Sequence, residues 1–206
     1  MTIAEGRNLF QEQLKDHFQN QEIDFYFKSI FKKKFDREPT QVALEPNTEL
    51  EKEEVEFLNA ALGKLSSHQP LQYILEQADF RNLILKVNEK VLIPRPETEE
   101  LVEWILEDNK NSIRPRELLD LGTGSGCIAI ALAKEQPHFR VAAIDLDLDI
   151  LEIALQNAVK HQVQIEFIQQ NMLKMNSFRK AVDIIVSNPP YVLLNEKKEM
   201  QKNVLE

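Results

Sequence analysis

The chain has 206 residues, of which 43% are hydrophobic and 29% charged, a composition typical of a soluble globular protein. Its formal net charge of −9 disfavours a protein that wraps a nucleic-acid backbone, because such binding needs clustered lysines and arginines. The single cysteine, Cys127, excludes an internal disulfide, and the histidines lack metal-ligand spacing, so we expect no metal site. No apolar run is long enough to cross a bilayer and no signal peptide opens the chain. We therefore expect a cytoplasmic protein without a membrane partner.

The first 69 residues are predicted to form a small helical bundle, because apolar residues recur at helical spacing. Two such runs are Leu9, Phe10, Leu14 and Phe18, then Ile23, Phe27, Ile30 and Phe31. A further helix is predicted to be capped by Asn47 or Thr48, and the Thr48 hydroxyl would form a capping box with Glu51. We interpret the phenylalanines as core residues.

The pattern changes over residues 70–95. Residues 71–75 and 83–87 look like two short strands, which predicts a hairpin linker. Residues 93–96 must be extended, because each proline restricts the residue before it. Thr98 is then predicted to cap a helix with acidic residues in its first turn.

Strands and helices alternate in the remainder of the chain. Apolar runs predict strands over residues 117–121, 141–145, 165–168 and 182–186, with helices after the first two. This alternation is typical of a parallel α/β sheet.

A glycine-rich loop, residues 122–126, follows the first of these strands. Glycines let the backbone approach a ligand closely, and the following helix N-terminus offers free N–H groups. The spacing G-x-G-x-G is not the dinucleotide-binding fingerprint G-x-G-x-x-G. Asp145 ends the next strand about 20 residues later, at the position that binds ribose hydroxyls in such folds.

The last predicted strand leads into Asn188, Pro189, Pro190 and Tyr191. Two prolines cannot continue a strand, so the chain leaves the sheet at its carboxyl edge, where open α/β sheets bind ligands. The Asn188 oxygen and the Pro189 carbonyl, which the proline rings orient, form two acceptors suited to a planar –NH2 group. Tyr191 adds a flat face for stacking. The dipeptides Asn-Pro and Pro-Pro are also common in ordinary loops. The tetrapeptide alone is therefore compatible with a binding site and with a loop that has no function.

Segment 120–126 (DLGTGSG), Asp145 and segment 188–191 (NPPY), in this order, resemble S-adenosylmethionine-dependent methyltransferases of Rossmann-like fold. Segments 70–80 and 92–99 resemble the bacterial release-factor glutamine methyltransferases of the HemK/PrmC family. This resemblance implies a parallel Rossmann-like sheet. In the family the sheet continues for several more strands, whereas this sequence stops after the fourth. The chain thus resembles a C-terminally truncated member. It would comprise a helical substrate-recognition domain (1–69), a hairpin linker (70–95) and a methyltransferase domain (96–206).

The resemblance implies methylation of the glutamine side-chain amide (N5) in the Gly-Gly-Gln motif of peptide chain release factors, with S-adenosylmethionine as cofactor. The implied cofactor-binding residues are Gly122, Thr123, Gly124, Ser125, Gly126, Asp145, Asn171, Met172 and Asn188. In this interpretation the glycine loop holds the methionine part, Asp145 the ribose, and Asn171 and Met172 border the adenine. Residues 188–191 would hold the substrate amide. Glu76 and Asn171 depart from the family pattern, which has glycine and aspartate there.

Two alternative functions remain at this stage. A DNA amino-methyltransferase acting on adenine N6 or cytosine N4 uses a related tetrapeptide, but it needs a basic groove and a flipped base. The net charge of −9 counts against it, and we expect no direct DNA binding. The other alternative is a non-catalytic fragment that binds release factors through its helical domain. Methyl-transfer assays with release factor and with DNA separate the three possibilities.

Overall fold

The computed structural model describes residues 1–175 and 178–189, and the described chain divides into two units, residues 1–75 and 76–189. Each unit contains a hydrophobic core of its own. Within these described ranges, no helix is both long and apolar enough to cross a membrane. The same ranges contain no cluster of three or more histidine, cysteine, aspartate or glutamate side chains arranged to hold a metal ion.

Unit 1 consists of helices packed around buried aromatic and aliphatic side chains. The helices are α1 (Ile3–Leu14), α2 (Asn20–Lys34), α3 (Pro39–Leu44), α4 (Lys52–Ser66) and α5 (Leu71–Leu75). The predicted helical spacing is confirmed, because Phe10, Leu14, Ile23, Phe27, Ile30 and Phe31 are all fully buried. Phe10 packs edge to face on Phe27, with ring centroids 5.3 Å apart.

The predicted capping box of Thr48 and Glu51 is wrong. Helix α4 begins one turn later, with Glu51 as N-cap, and the Glu51 N–H donates to the Glu54 carboxylate at 2.8 Å. The segment before it is extended because it pairs with the start of the chain. Glu49 forms a bridge with Thr2, and the Leu50 N–H donates to the carbonyl of Met1 at 2.9 Å.

The strand predicted over residues 71–75 is also wrong, since this segment is helix α5. The carbonyl of Pro70 accepts from the N–H groups of Tyr73 and Ile74 at 3.1 and 3.2 Å, which closes a helical turn. Leu71 and Ile74, three residues apart, both join the helical core. A short apolar run cannot be assigned to strand or helix by its pattern alone.

Unit 2 begins with an antiparallel hairpin of β1 (Gln77–Phe80) and β2 (Leu83–Lys86). A hairpin is present as predicted, although its first strand lies after residue 76. Glu76 leads into it with φ of 55°, a left-handed conformation that disfavours side-chain-bearing residues by about 1–2 kcal/mol. This is the position where the family resemblance led us to expect glycine, so the departure places strain at the entry to the hairpin.

The main sheet of unit 2 is parallel, as predicted, with the order β5-β4-β3-β6. Its strands are β3 (Arg116–Leu121), β4 (Phe139–Asp145), β5 (Ile165–Gln169) and β6 (Ile184–Ser187). The helices between them are α7 (Cys127–Glu135) and α8 (Leu148–Lys160), and α6 (Pro96–Asn109) precedes the sheet. The chain moves outward from β3 to β4 and β5 and then places β6 on the other side of β3. Such a reversal is the topological switch point at which open α/β sheets bind ligands.

Alternate residues of the strands supply the two faces of the sheet. Leu118 and Val141 pack in one cluster with Val102 of α6 and the apolar residues of α7. Leu119 and Ala142 belong to the cluster on the opposite face. This alternation follows from the two-residue period of a strand.

Thr98 is not the N-cap of α6, contrary to the prediction. The helix begins at Pro96, with Arg95 as N-cap, and Thr98 lies buried in its first turn. Proline is favoured at the first helical position, because its missing N–H would have no intrahelical partner there.

Candidate functional site

The glycine loop connects β3 to α7 and is tied to the end of β4. The N–H groups of Gly122 and Thr123 both donate to the carbonyl of Ile144, at 2.9 and 3.0 Å. Parallel pairing already sets Leu121 opposite Ile144, so the loop starts from a fixed point. The loop therefore lies at the carboxyl ends of β3 and β4.

Gly124 and Gly126 have left-handed φ angles of 54° and 81°, but their surroundings differ. A Cβ added at Gly124 would meet no atom within 4 Å, so this backbone faces open space. A Cβ added at Gly126 would lie 3.0 Å from Cδ1 of Ile130 and 3.2 Å from Cβ of Ala154. Gly124 is thus open to a ligand, whereas Gly126 allows the close packing of α7 and α8.

Asp145, at the end of β4, holds the glycine loop by one direct hydrogen bond and holds its own following residue by another. Its Oδ2 accepts from the Gly124 N–H at 3.0 Å, and its Oδ1 accepts from the Leu146 N–H at 2.7 Å. A carboxylate has about four acceptor sites, so these two bonds leave capacity for ligand hydroxyls. The role of Asp145 as a ribose acceptor stays a prediction.

Asp120 is fully buried beneath the same loop. The Thr123 hydroxyl donates to Asp120 Oδ2 at 2.7 Å, which fixes the second residue of the loop. Burial raises the pKa of Asp120 to about 6, although the hydrogen bond from Thr123 opposes the shift. The loop thus rests on a carboxyl group whose charge is disfavoured by its surroundings.

Asn171 and Met172 follow β5 and lie beside the loop. The Gln170 N–H donates to the carbonyl of Asp145 at 2.9 Å, which keeps this segment near the end of β4. The Asn171 side chain caps a single 3-10 turn by accepting from the Leu173 N–H at 2.9 Å. The Met172 methyl group lies 4.0 Å from where a Cβ on Gly122 would stand. Their predicted contact with adenine stays a prediction.

Asn188 and Pro189 follow β6 at the other side of the switch point. The Ser187 hydroxyl donates to the carbonyl of Leu121 at 2.7 Å, next to the start of the glycine loop. The Asn188 amide nitrogen donates to Oγ1 of Thr98 at 2.7 Å. Two of the four predicted substrate-binding residues, Pro190 and Tyr191, lie outside the described residues.

A cavity of about 50 Å³ brings several of these segments together. Its lining comprises Leu92, Pro94, Arg95, Thr98, Gly122, Thr123, Gly124, Ser125, Cys127, Ile128 and Asn188. The structure thus unites the first four loop residues, Asn188 and the segment before α6. Asp145, Asn171, Met172 and Pro189 lie outside this lining.

A larger cavity, about 990 Å³, includes Arg140 and Val141 at the start of β4 and Ile165 at the start of β5. It contains none of the predicted site residues. We place the candidate site in the smaller cavity, because parallel sheets bind ligands at the carboxyl ends of their strands.

Sequence reasoning missed Asn157 of α8, which supports the loop from behind. Its amide nitrogen donates to the carbonyls of Ser125 and Lys86, both at 2.9 Å, and its Oδ1 accepts from the Lys86 N–H at 2.6 Å. Asn157 is fully buried. The available signal was a polar residue within the apolar stripe formed by Ala154 and Ala158, since Asn157 shares their helix face.

Two family models match the sequence. Residues 7–75 match the PrmC N-terminal domain, and residues 98–206 match the Methyltransferase small domain. The second match covers the glycine loop, all four parallel strands and Asn188.

Two curated relatives match over the whole chain, and a third matches over about three quarters of it. The release factor glutamine methyltransferase of Flavobacterium psychrophilum is 43% identical over 208 residues, covering 100% of this chain and 73% of that protein. The enzyme of the same name from Streptococcus pneumoniae is 40% identical over 206 residues, covering 100% and 71%. That of Lactococcus lactis is 46% identical over 154 residues, covering 74% of this chain and 55% of that protein. The chain belongs to the family of release factor glutamine methyltransferases.

Proposed function

We propose that the protein transfers a methyl group from S-adenosylmethionine to the glutamine side-chain amide (N5) of the Gly-Gly-Gln motif in peptide chain release factors. Membership of the family supports this reaction. The observation that carries it is a cavity lined by both the glycine loop and Asn188. Because release factors act in translation, we place the reaction in the cytoplasm.

The residues at the carboxyl ends of β3, β4 and β5 suit the proposed cofactor, which supplies a methyl group on a positively charged sulfur. The open space beside Gly124 allows a ligand to approach the backbone of the loop. Spare acceptor capacity on Asp145 suits ribose hydroxyls. Met172 offers an apolar side chain beside Gly122 for the adenine, with Asn171 next to it. We assign Gly122 to Ser125, Asp145, Asn171, Met172 and Asn188 to this site, and we give Gly126 a supporting role.

Asn188 and Pro189 are assigned to the substrate amide. An amide nitrogen is a weak nucleophile, because its lone pair is delocalised into the carbonyl group. Accepting its two N–H bonds, by the Asn188 oxygen and the Pro189 carbonyl, orients the nitrogen and stabilises the positive charge that develops on it. The methylated nitrogen then loses one of its protons to water, because an amide that carries positive charge on nitrogen is strongly acidic, so no ionised base is required. We assign stacking and further orientation of the substrate to Tyr191 and Pro190.

We assign recognition of the release factor to the helical domain, residues 1–69. The match of residues 7–75 to the PrmC N-terminal domain supports this role. The charge of −9 favours a protein substrate over DNA, since binding to duplex DNA draws on clustered cationic side chains.

Methyl transfer by the wild type and Asn188→Ala tests this function. We expect the wild type to methylate a release factor and to leave duplex DNA unmodified, as measured by mass spectrometry. Removal of Asn188 should lower the turnover number roughly 10²–10³-fold, the range for a lost hydrogen-bonding group in a transition state. Binding of S-adenosylhomocysteine, measured by calorimetry, should weaken far less than turnover, because Asn188 is only one of several residues assigned to the cofactor. A wild type that methylates only DNA, or a variant with normal turnover, would contradict the proposal.

A further inference from the structure

Thr98 makes a contact across the site that its sequence position does not reveal. Its Oγ1 accepts a hydrogen bond of 2.7 Å from the amide nitrogen of Asn188, 90 residues later in the chain. Only 3% of Thr98 is exposed, and both residues line the same cavity. We propose that Thr98 is a positioning residue, which fixes the orientation of the Asn188 side-chain amide so that its oxygen is presented to the substrate. The proposal rests on the function assigned above.

The orientation of this amide matters because its two ends have opposite chemistry. The oxygen accepts hydrogen bonds, whereas the –NH2 group only donates them. Rotation about χ2 of asparagine is broad and roughly two-fold, so backbone geometry alone does not choose between the ends. A reversed amide would set its own N–H groups against those of the substrate glutamine. A hydroxyl can accept or donate, and in the structure Thr98 Oγ1 accepts from the Asn188 nitrogen, so the Asn188 oxygen lies away from Thr98.

Thr98 is itself held in a fixed position. It lies in the first turn of α6, and its N–H donates to the carbonyl of Arg95 at 2.9 Å. Pro94 and Pro96 restrict the segment that leads into this turn. Threonine is branched at Cβ, so its χ1 is restricted. On the other side, pairing of Ser187 with Leu121 fixes the backbone next to Asn188. Thr98 thus lies within helix α6, and Asn188 directly follows strand β6.

The matched substitutions Thr98→Val and Thr98→Ser separate the hydroxyl from the shape of the side chain. Valine keeps the shape and removes the acceptor, so we expect the turnover number with release factor to fall, by up to about 10²-fold for a misplaced reacting group. Serine keeps the hydroxyl and should restore most of that loss. The affinity for S-adenosylhomocysteine, measured by calorimetry, should change far less than the turnover number in either variant. Equal turnover numbers for the two variants would overturn the proposal, and so would weaker S-adenosylhomocysteine binding with unchanged turnover.

The Asn188 side-chain amide gives a second readout that does not need activity. Its ¹⁵N–¹H resonances can be assigned by their loss in Asn188→Asp. We expect Thr98→Val to shift them in the ligand-free protein and Thr98→Ser to leave them near their wild-type positions. Resonances that are unmoved by valine would overturn the proposal. If the wild type itself fails to methylate any release factor, the proposed function fails, while this spectrum still decides whether Thr98 holds the amide.

Discussion

Gly124 and Gly126 share a left-handed backbone but differ in what surrounds them, and alanine substitution should separate their roles. At Gly126 the new methyl group would meet Ile130 and Ala154, so strain in φ and overpacking should together lower the free energy of unfolding by about 2–4 kcal/mol. At Gly124 only the φ strain of about 1–2 kcal/mol applies, but the methyl group would occupy the open space that we assign to the cofactor. Urea unfolding and calorimetry with S-adenosylhomocysteine measure the two effects. Normal ligand binding by Gly124→Ala would contradict the assignment.

The buried Asp120 should give the protein a specific pH dependence of stability. Burial raises its pKa from 3.8 to about 6 in the folded state, so the folded protein binds its proton more tightly than the unfolded chain. The contribution to stability is present below pH 3.8 and is lost as the pH rises to about 6. The shift corresponds to about 3 kcal/mol.

Comparison with Asp120→Asn isolates this group, because all other titrations are shared. Between pH 4 and pH 6 the wild type should lose free energy of unfolding relative to the variant, and above that range the difference should stay constant. Urea unfolding of both proteins from pH 4 to pH 8 measures this difference in the free energy of unfolding. Parallel profiles over the whole range would show that Asp120 titrates normally.

At the scale of helices and strands, the sequence predicted those elements whose residue pattern is determined locally. The helical stripes of α1 and α2 and the parallel strands were correct, because their periodicity reflects burial on one or both faces. The loop and Asn188 were correctly placed at one edge of the sheet, since strand order alone brings them together.

The displaced capping box and the missed polar contacts depend on distant residues. The capping box at Thr48 was displaced because this segment pairs with Met1 and Thr2, far away in sequence. The contacts of Thr98 with Asn188 and of Asn157 with Lys86 span 90 and 71 residues. No local pattern encodes such partners, so only the folded structure reveals why these buried polar residues are present.

Asn157 joins three elements, namely α8, strand β2 and the glycine loop, and its removal should loosen all of them. Alanine would remove the side-chain partner of the buried Ser125 carbonyl and of the part-buried Lys86 carbonyl and N–H, which should lower the free energy of unfolding by about 2–4 kcal/mol. Because Ser125 loses its support, the affinity for S-adenosylhomocysteine should fall as well.

The neighbouring Gln156 offers a matched control. It is exposed on the same helix and accepts from Nζ of the same Lys86 at 2.8 Å, so Gln156→Ala removes a solvent-exposed contact to the same residue. We expect a change within about 0.5 kcal/mol, measured by urea unfolding alongside Asn157→Ala. Similar losses in both variants would show that burial of Asn157 gives it no special role.

At the scale of the whole molecule, the two units are built on separate cores. The core of unit 1 is formed by residues between Ile3 and Ile74 and is rich in phenylalanine. The cores of unit 2 lie on the two faces of the sheet and include residues of β3, β4 and α7. The proposed cofactor site lies wholly within unit 2. A ligand of that site should therefore stabilise one unit selectively.

Hydrogen exchange measured by mass spectrometry can test this selectivity. With S-adenosylhomocysteine at a hundred times its dissociation constant, the most protected amides of β3, α7 and β4 should gain about 2.7 kcal/mol of opening free energy. The amides of α1, α2 and α4 should exchange at their ligand-free rates, because they depend on the other core. Gly124→Ala should show no gain in either unit, which controls for non-specific effects of the ligand. Equal protection of both units would mean that they open together as one cooperative structure. A gain confined to unit 1 would place the ligand away from the glycine loop.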